Sequence, residues 1–525
     1  YTLSLHDALP IDGRAMRDYD AIVVGAGNAG LMAAATLQRG GLRTLLLERH
    51  NVPGRTGTSF RRGRFEFEVA LHQLSGIGLD GQPGPLLQEL DRIGVADKIE
   101  FVREHELYRS IVPGSHDVVV PVGWSEVVDA LEAAFPGNRS RLEKLFDLVR
   151  NVTIWQVAAM RGLPADQLGD VLFANGLRSL KAVLDEHFDD PALKNVLGIY
   201  WTYSGMPSGR MPFQDWALIF FAYVEFGPAH VKGGSQAMSA AILDSFLEAG
   251  GEVLFNTGVD RFTDAHGVTG VVTEDGDAVS AQHIVSNASL PTTVAMLDDP
   301  PTALTDDLAK RRVGVSAFLL HLGLNATADD LGFTTSTSFI GRDLDDDAVF
   351  ANWGTLEPAR SVCMSSYDVT PIGFSPAGAS HASLLTLAYE HVWDKVEPAD
   401  YHRQKFAYAE GLLDVAEIMT PGIRDAIAGS ICSTDRAPPT TSSSTSRGSH
   451  QPVALALRRR RRRRDHRDGA GPKLPHEARP PASRRPRRQR RSARSGLPLR
   501  RVQPVPGSCP QGRGARGRRG QATSV

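Results

Sequence analysis

The sequence predicts an α/β fold organised around a parallel sheet, in two domains, followed by a tail that does not fold. A glycine-rich turn near residue 25 joins a short apolar strand to a helix, which is typical of such a sheet. The length of 525 residues exceeds what one simple core supports. The composition changes near residue 435, from an acidic globular body to a basic segment poor in apolar residues.

The overall composition excludes several classes of protein. Hydrophobic residues make up 42% of the chain and charged residues 22%, as in ordinary globular proteins. The cysteines, Cys363, Cys432 and Cys509, are far apart in sequence, and the histidines are scattered, so neither a disulfide framework nor a metal site is expected. No apolar run reaches 18 residues, so we expect no membrane-spanning helix. These features favour a cytoplasmic protein.

The first fifteen residues, 1–15, lack the basic start and the longer apolar core of a secretory signal. They resemble the translation of a sequencing adapter. We therefore expect the native start at or near Met16.

The clearest functional signal is the turn between an apolar strand at residues 21–24 and a helix predicted over residues 28–39. Its G-x-G-x-x-G spacing lets a pyrophosphate approach the N–H groups at the helix N-terminus. The first glycine permits the tight turn, the second leaves room for the pyrophosphate, and the third lets helix and strand pack closely. The residues of this turn are Gly25, Ala26, Gly27, Asn28, Ala29 and Gly30.

A second strand, residues 43–48, ends at Glu48. A carboxylate at this place can accept hydrogen bonds from ribose hydroxyls, and it disfavours the 2′-phosphate of NADP. Strand, turn, helix, strand and acid together predict a Rossmann-type dinucleotide site. The segment just beyond it contains Arg49, Gly54 and Arg55. A glycine turn with arginines so soon after the acid favours FAD, because the second half of that cofactor runs past the first βαβ unit.

Residues 20–30, 48–60 and 63–68 resemble the N-terminal part of the phytoene desaturase-related flavoproteins. That group includes carotenoid desaturases, carotenoid isomerases and retinol saturases, and is more distantly related to monoamine oxidases. The resemblance, over about residues 18–432, implies a glutathione reductase-like FAD-binding domain and a discontinuous α+β substrate domain. Where the group has Pro-Gly-Gly, this chain has Pro53-Gly54-Arg55, so one glycine is replaced or deleted.

A second motif, Lys232-Gly233-Gly234 followed by Met238, is similar to the group's Gly-Gly-x-x-x-Leu pattern. The resemblance then implies that the backbone of Val259 contacts the adenine and that Asn287 lies near the first half of the cofactor. It also implies an order of segments: FAD-binding domain at 16–84 and 228–290, and substrate domain at 85–227 and 291–432.

Flavin chemistry depends mainly on the cofactor, so the resemblance implies no catalytic triad. His72 is the one candidate for proton movement, because its region lies near the flavin in the related proteins; a structural histidine is the alternative. Glu68 stands where the group often has Asp and is interpreted as structural. The aromatic segments at 198–203 and 213–226 are compatible with a polyene tunnel and equally with an ordinary core.

The tail, residues 433–525, is basic. The part from Arg436 onward holds 25 of the 58 Lys and Arg residues but only three of the 60 acidic residues, which leaves a net charge of −24 on the first 435. Seven consecutive arginines, 458–464, are compatible with an arm that binds polyanions. A frameshift in GC-rich DNA gives the same composition, and we favour it. No aromatic residues alternate with the arginines, so we expect disorder and no specific nucleic-acid partner.

The sequence therefore predicts an FAD-dependent oxidoreductase acting on a hydrophobic, carotenoid- or retinoid-like polyene, by desaturation, saturation or cis–trans isomerisation. Peripheral membrane contact is expected as a consequence of such a substrate. Two alternatives stay open. One is a flavin amine oxidase-type enzyme. The other is an inactive fragment, because the group's second glycine-rich segment, which starts a helix at the flavin ring, is not found after Ser433.

Overall fold

The computed structural model describes residues 19–69, 73–79, 81–264, 268–370, 373–434 and 453–455. The predicted leader at 1–15, the candidate His72 and nearly all of the predicted tail lie outside these residues.

In chain order, the strands are β1 (Tyr19–Val24), β2 (Thr44–Leu47), β3 (Ser59–Arg62), β4 (Phe65–Glu68), β5 (Gly78–Leu79), β6 (Gln82–Pro83), β7 (Phe101–Arg103), β8 (Glu106–Val112), β9 (His116–Pro121), β10 (Ala229–Val231), β11 (Glu252–Leu254), β12 (Val259–Asp264), β13 (Val268–Thr273), β14 (Ala278–Ser286), β15 (Ser316–Leu324), β16 (Thr337–Gly341), β17 (Ser361–Ser365), β18 (Ser380–Ala388), β19 (Ile427–Thr434) and β20 (Val453–Leu455). The helices are α1 (Asn28–Arg39), α2 (Pro85–Arg92), α3 (Trp124–Ala134), α4 (Arg139–Met160), α5 (Asp170–Asn175), α6 (Leu180–His187), α7 (Pro191–Gly198), α8 (Trp201–Ser204), α9 (Phe213–Phe226), α10 (Gly234–Glu248), α11 (Leu290–Ala295), α12 (Thr302–Lys310), α13 (Asp346–Asn352), α14 (Glu390–Trp393), α15 (Tyr401–Met419) and α16 (Ile423–Ala426).

The first sheet has six strands in the order β11-β2-β1-β14-β13-β12. The four strands from β11 to β14 run parallel, and β14, β13 and β12 form an antiparallel meander. β1 and β2 are almost wholly apolar and buried, because helices and further chain cover both faces of a parallel sheet. Helices α1 and α10 pack together over one face. The predicted α/β class is confirmed.

The second sheet has eight strands in the order β20-β19-β15-β18-β17-β16-β8-β9. All neighbours run antiparallel except β16 and β8, which are parallel. One face packs on α15 through side chains such as Leu320, Leu384 and Met364. The other face looks towards the helices between α3 and α9, whose own core contains Phe146, Trp216 and other buried apolar residues.

The two sheets take their strands from interleaved parts of the chain. The six-stranded sheet uses residues 19–47 and 252–286, whereas the eight-stranded sheet uses 106–121 and later strands from 316 onward. Within the described part of the chain, no helix combines the length and apolarity needed to cross a bilayer.

Candidate active site

The glycine-rich turn lies at the carboxyl end of β1, where parallel strands present their loops to ligands. Gly25 has a φ of +97°, a left-handed value that glycine adopts without strain. A Cβ added at Gly30 would lie 2.0 Å from the carbonyl oxygen of Gly25. Only glycine therefore lets α1 approach the turn so closely.

Asn287 packs against the same turn. Its backbone N–H donates to the Val24 carbonyl at 2.8 Å, and its side-chain amide nitrogen lies 3.4 Å from the Gly25 carbonyl. A Cβ added at Gly27 would lie only 2.9 Å from that amide nitrogen. The structure thus adds a second reason for glycine at this position, which is the close approach of the chain after β14.

The N-terminus of α1 fits an anion. Its cap is Gly27, which has no side chain to accept the first N–H groups of the helix, and its first turn, Asn28 to Leu31, contains no acidic residue. Asn28 is half-buried and Ala29 is exposed. The positive end of the helix is therefore open to a pyrophosphate.

Glu48 joins the end of β2 to the glycine turn. One carboxylate oxygen accepts a hydrogen bond from the Ala26 N–H at 2.6 Å, and the other accepts from the His50 N–H at 2.7 Å. A carboxylate oxygen has two acceptor directions, so each oxygen keeps one for a ribose hydroxyl. The donor and acceptor set around Glu48 therefore fits the adenosine half of a dinucleotide.

Val259 and Arg49 lie beside this end of β2. The Thr257 N–H donates to the Glu48 carbonyl at 2.8 Å, which brings the buried Val259, two residues further on, to the same edge. Arg49 is half-exposed and forms an ion pair with Glu274 at 2.7 Å. Its charge is thus directed at a neighbouring carboxylate.

The turn after β2 shows whether the missing glycine of the Pro-Gly-Gly pattern is replaced or deleted. The Gly54 N–H donates to the Ala26 carbonyl at 2.8 Å, so this turn is attached to the glycine-rich turn. Gly54 has a φ of +105°, and Arg55, although not glycine, has a φ of +52°. Arg55 thus keeps the left-handed conformation that a glycine would adopt without strain, which indicates replacement of a glycine and not deletion.

Glu68 holds the N-terminus of α10. Its carboxylate accepts hydrogen bonds from the Ser235 N–H at 2.7 Å and from the Ser235 hydroxyl. Burial raises the pKa of Glu68 to about 7, and the bonds from Ser235 offset part of that rise. Gly233 and Gly234 both have left-handed φ angles, which bring the chain round to this carboxylate.

We call the face of the eight-stranded sheet that lies opposite α15 the substrate face. Cross-strand partners point to the same side of a sheet, so the register places two sets of side chains along this face. At one end, Leu385, Cys363 and Phe339 are cross-strand partners in succession. Towards the other end lie Ser383 and Ser365, which are partners of each other.

At its apolar end, the substrate face forms the floor of a cavity of about 300 Å³. Its walls include Ile199, Trp201 and Tyr203, so the predicted aromatic segment at 198–203 does contribute to a cavity. The segment at 213–226 instead forms α9, whose aromatic side chains lie in the helical core. Asp346 also lines the cavity, and burial raises the pKa of its carboxyl.

At the opposite end of the substrate face, the structure brings together histidines that sequence reasoning missed. His321 pairs with Ser383, and His381 pairs with Gly323, so both imidazoles lie on the same face of neighbouring strands. Both side chains are fully buried, beneath the ring of Phe67 from β4. The two histidines are 60 residues apart in sequence, so only the register of β15 and β18 reveals the cluster.

His381 forms a buried pair with Asp368. The imidazole Nδ1 lies 2.6 Å from an Asp368 carboxylate oxygen, which also accepts from the His381 backbone N–H and the Ser375 hydroxyl, each at 2.7 Å. Burial alone would raise the pKa of Asp368, but these hydrogen bonds outweigh it and hold the pKa below its usual value. The pair is thus an ionised carboxylate against one imidazole nitrogen.

Comparisons with known proteins agree with this geometry. A family model described as flavin containing amine oxidoreductase matches residues 28–386. The all-trans-retinol 13,14-reductase of Danio rerio is 26% identical over 458 residues, covering 79% of this chain and 74% of the relative. The chloroplastic prolycopene isomerase of Daucus carota is 23% identical over 436 residues, covering 78% and 68%.

A solved structure gives the same picture of the fold. An oxidoreductase from Methanosarcina mazei superposes with a TM-score of 0.56 at 16% identity, covering 80% of this chain and 88% of the other. The named relatives confirm the resemblance to the carotenoid- and retinoid-acting flavoproteins. Since the family model spans more than half of the sequence, this chain belongs to the flavin containing amine oxidoreductases and is an FAD-dependent oxidoreductase.

Proposed function

We propose that this chain acts on an elongated, hydrophobic polyene by desaturation, saturation or cis–trans isomerisation. The observation that carries the proposal is the substrate face, which continues from an apolar cavity to a buried polar end. Leu387, which lines the cavity, lies six positions after His381 on the same strand. At the rise of a β-strand, six positions span roughly 20 Å. Such a surface suits a long apolar molecule better than a compact one.

The relatives support the same substrate class. Their names refer to all-trans-retinol and to prolycopene. The chain covers more than two thirds of both proteins. This support concerns the class of substrate, and the choice among the three reactions rests on experiment.

We infer that FAD binds at the carboxyl end of β1 and β2, where it supplies a two-electron acceptor for hydride. The open end of α1 would hold the pyrophosphate, Glu48 the ribose, and the turn at Gly54 the part of the cofactor beyond it. The proposed binding residues are Gly25, Ala26, Gly27, Asn28, Ala29, Gly30, Glu48, Arg49, Gly54, Arg55, Val259 and Asn287.

The test compares polyenes with primary amines as reductants of the FAD-loaded full chain, without oxygen. We expect a polyene carrying a saturated bond beside its conjugated segment to bleach the oxidised flavin, and an amine to leave it oxidised. Leu385→Trp, which fills the cavity, should abolish bleaching while flavin content stays unchanged. Leu290→Trp is the matched control, because Leu290 is exposed on α11. Bleaching by amines alone would refute the polyene proposal.

We also infer that the corner formed by α4 and α5 contacts a membrane surface, from which a polyene would be drawn. Ile154, Met160, Phe173 and Leu177 lie on or beside these two helices and are 57% to 80% exposed, unusual for large apolar side chains so close in sequence. Phe173→Asp with Leu177→Asp should reduce co-sedimentation with phospholipid vesicles. Equal sedimentation of the double variant and the unaltered chain would refute this contact.

A further inference from the structure

His381 has the arrangement of a buried base. Because Asp368 is ionised and only accepts hydrogen bonds, the nitrogen facing it, Nδ1, must carry a proton. In the neutral imidazole the lone pair then lies on Nε2. Within the described part of the chain, Nε2 of His381 is buried and has no hydrogen-bond partner. A buried polar atom without a partner indicates a group that the protein binds there.

The surroundings direct this nitrogen to the substrate face. Every second position of β18 is taken in turn by His381, Ser383, Leu385 and Leu387, so all four side chains lie on the same side of the strand. The rings of Phe67, Tyr367 and Phe374 enclose the imidazole at centroid distances of 5.2 to 6.0 Å. His381 therefore lies in aromatic surroundings on the same sheet face whose other end lines the cavity.

The turn that leads into β4 also reaches this end. Gly54 is attached to the dinucleotide turn, and the chain then runs through β3 into β4, where Phe67 covers the histidines and Glu68 bonds to α10. The segment from Gly54 to Glu68 therefore joins the dinucleotide turn to the end of the substrate face that holds the histidines.

We propose that His381 is the proton acceptor of substrate oxidation, with Asp368 as its positioning residue; the inference rests on the proposed function. Desaturation breaks two C–H bonds on neighbouring carbons and forms one C=C bond. One hydrogen leaves as hydride to the oxidised flavin, and the other leaves as a proton to Nε2 of His381. The resulting imidazolium is stabilised by the Asp368 carboxylate. In a reduction the same nitrogen returns the proton.

His321 is a weaker candidate for this role. Its Nδ1 lies 2.9 Å from the neutral hydroxyl of Ser383, and among the described residues no carboxylate pairs with it. Burial, and to a smaller extent the neighbouring His381, lowers the pKa of His321 to about 3. The titratable groups that face His381 are Asp368 and Tyr367 from the turn before β18 and His321 from β15. Of these described groups, Asp368 is the carboxylate that pairs with the imidazole and can stabilise a proton on it.

The experiment follows bleaching of the oxidised flavin in a single anaerobic turnover with a polyene that carries a saturated bond. We expect His381→Gln to slow bleaching by about 100-fold or more, the range of general-base catalysis, and Asp368→Asn by about tenfold. The polyene dissociation constant should stay unchanged in both. His402→Gln is the control, because His402 lies on α15, which packs on the opposite side of the sheet from the substrate face. It should bleach at the unaltered rate.

A second measurement needs no turnover. Imidazole ¹⁵N spectra of the histidine-labelled chain should show that the neutral form of His381 carries its proton on Nδ1 and not on Nε2, and Asp368→Asn should redistribute that proton. This measurement stands if His381→Gln fails to fold.

The outcomes separate the two proposals. If no polyene bleaches the oxidised flavin, and the reduced flavin neither saturates nor isomerises a polyene, the proposed function is refuted and this step with it. If a polyene reduces the flavin of the unaltered chain, but reduces the flavin of His381→Gln or Asp368→Asn at the same rate, the role of His381 alone is refuted. A protonated Nε2 in the spectra of the free protein also refutes it.

Discussion

Glu68→Gln should change how stability depends on pH. The carboxyl is buried against the start of α10, and its pKa rises from an ordinary 4.5 to about 7 because burial disfavours the charged form. The folded state therefore holds this proton more tightly than the unfolded state. Its contribution to stability is fully present below pH 4.5 and is lost as the pH rises through 7. Glutamine keeps the shape and an acceptor for the Ser235 N–H, but does not titrate.

The magnitude follows from the shift. The full difference between the two pKa values corresponds to about 3 kcal/mol, most of which develops between pH 5 and pH 8. The free energy of unfolding of Glu68→Gln, relative to the unaltered chain, should rise by most of that amount over this interval. Urea unfolding followed by tryptophan fluorescence at several pH values measures it.

Glu89→Gln is the control for this prediction. Glu89 lies on α2 and pairs with Arg92 at the surface, so its substitution should give a difference that does not follow the same pH curve. A Glu68→Gln difference that stays constant from pH 5 to pH 8 would contradict the reasoning. It would mean that the bonds from Ser235 and the positive end of α10 fully compensate for burial.

Three further results are expected. Gly30→Ala should abolish FAD binding, measured as flavin per protein, because the added Cβ would lie 2.0 Å from the Gly25 carbonyl oxygen. The control Gly314→Ala should keep full flavin content, because a Cβ at Gly314 would meet no neighbouring atom. Arg55→Gly should not lower the free energy of unfolding in urea, since glycine adopts the observed φ of +52° without strain, whereas Arg55→Val should lower it by about 1 kcal/mol or more. The ring of His321 should stay neutral down to about pH 4 in imidazole ¹⁵N spectra, because its pKa lies at about 3; protonation near pH 6 would contradict the described burial.

The cofactor half of the site could be predicted from the sequence because its parts are local. The segment from Tyr19 to Glu48 forms one strand–helix–strand unit, in which the glycines act through backbone geometry and Glu48 through its carboxylate. The turn at Arg55 shows where this reasoning stops. Replacement and deletion of a glycine look alike in one sequence, and only the left-handed φ separates them.

The histidine cluster at the far end of the substrate face could not be predicted in the same way. Asp368 and His381 are 13 residues apart, and no motif joins them. His321 meets His381 only because β15 and β18 pair with Gly323 opposite His381. Such a cluster depends on the register of strands that are distant in sequence, which periodicity alone does not fix. His72, the candidate named from the sequence beside the alternative of a structural histidine, stays a prediction, since it lies outside the described residues.

The strand β18 explains how one sheet serves both stability and chemistry. Ala382 and Leu384 pack on the α15 side, while His381, Ser383 and Leu385 lie on the substrate face. A slip of one residue would exchange the two sets, so the register must be held from both sides. It is held by β15 and β17, each paired along β18, and by the apolar core under α15. Substitutions on the α15 side should therefore act through stability. Those on the substrate face should change which polyene is accepted while the fold and FAD binding persist.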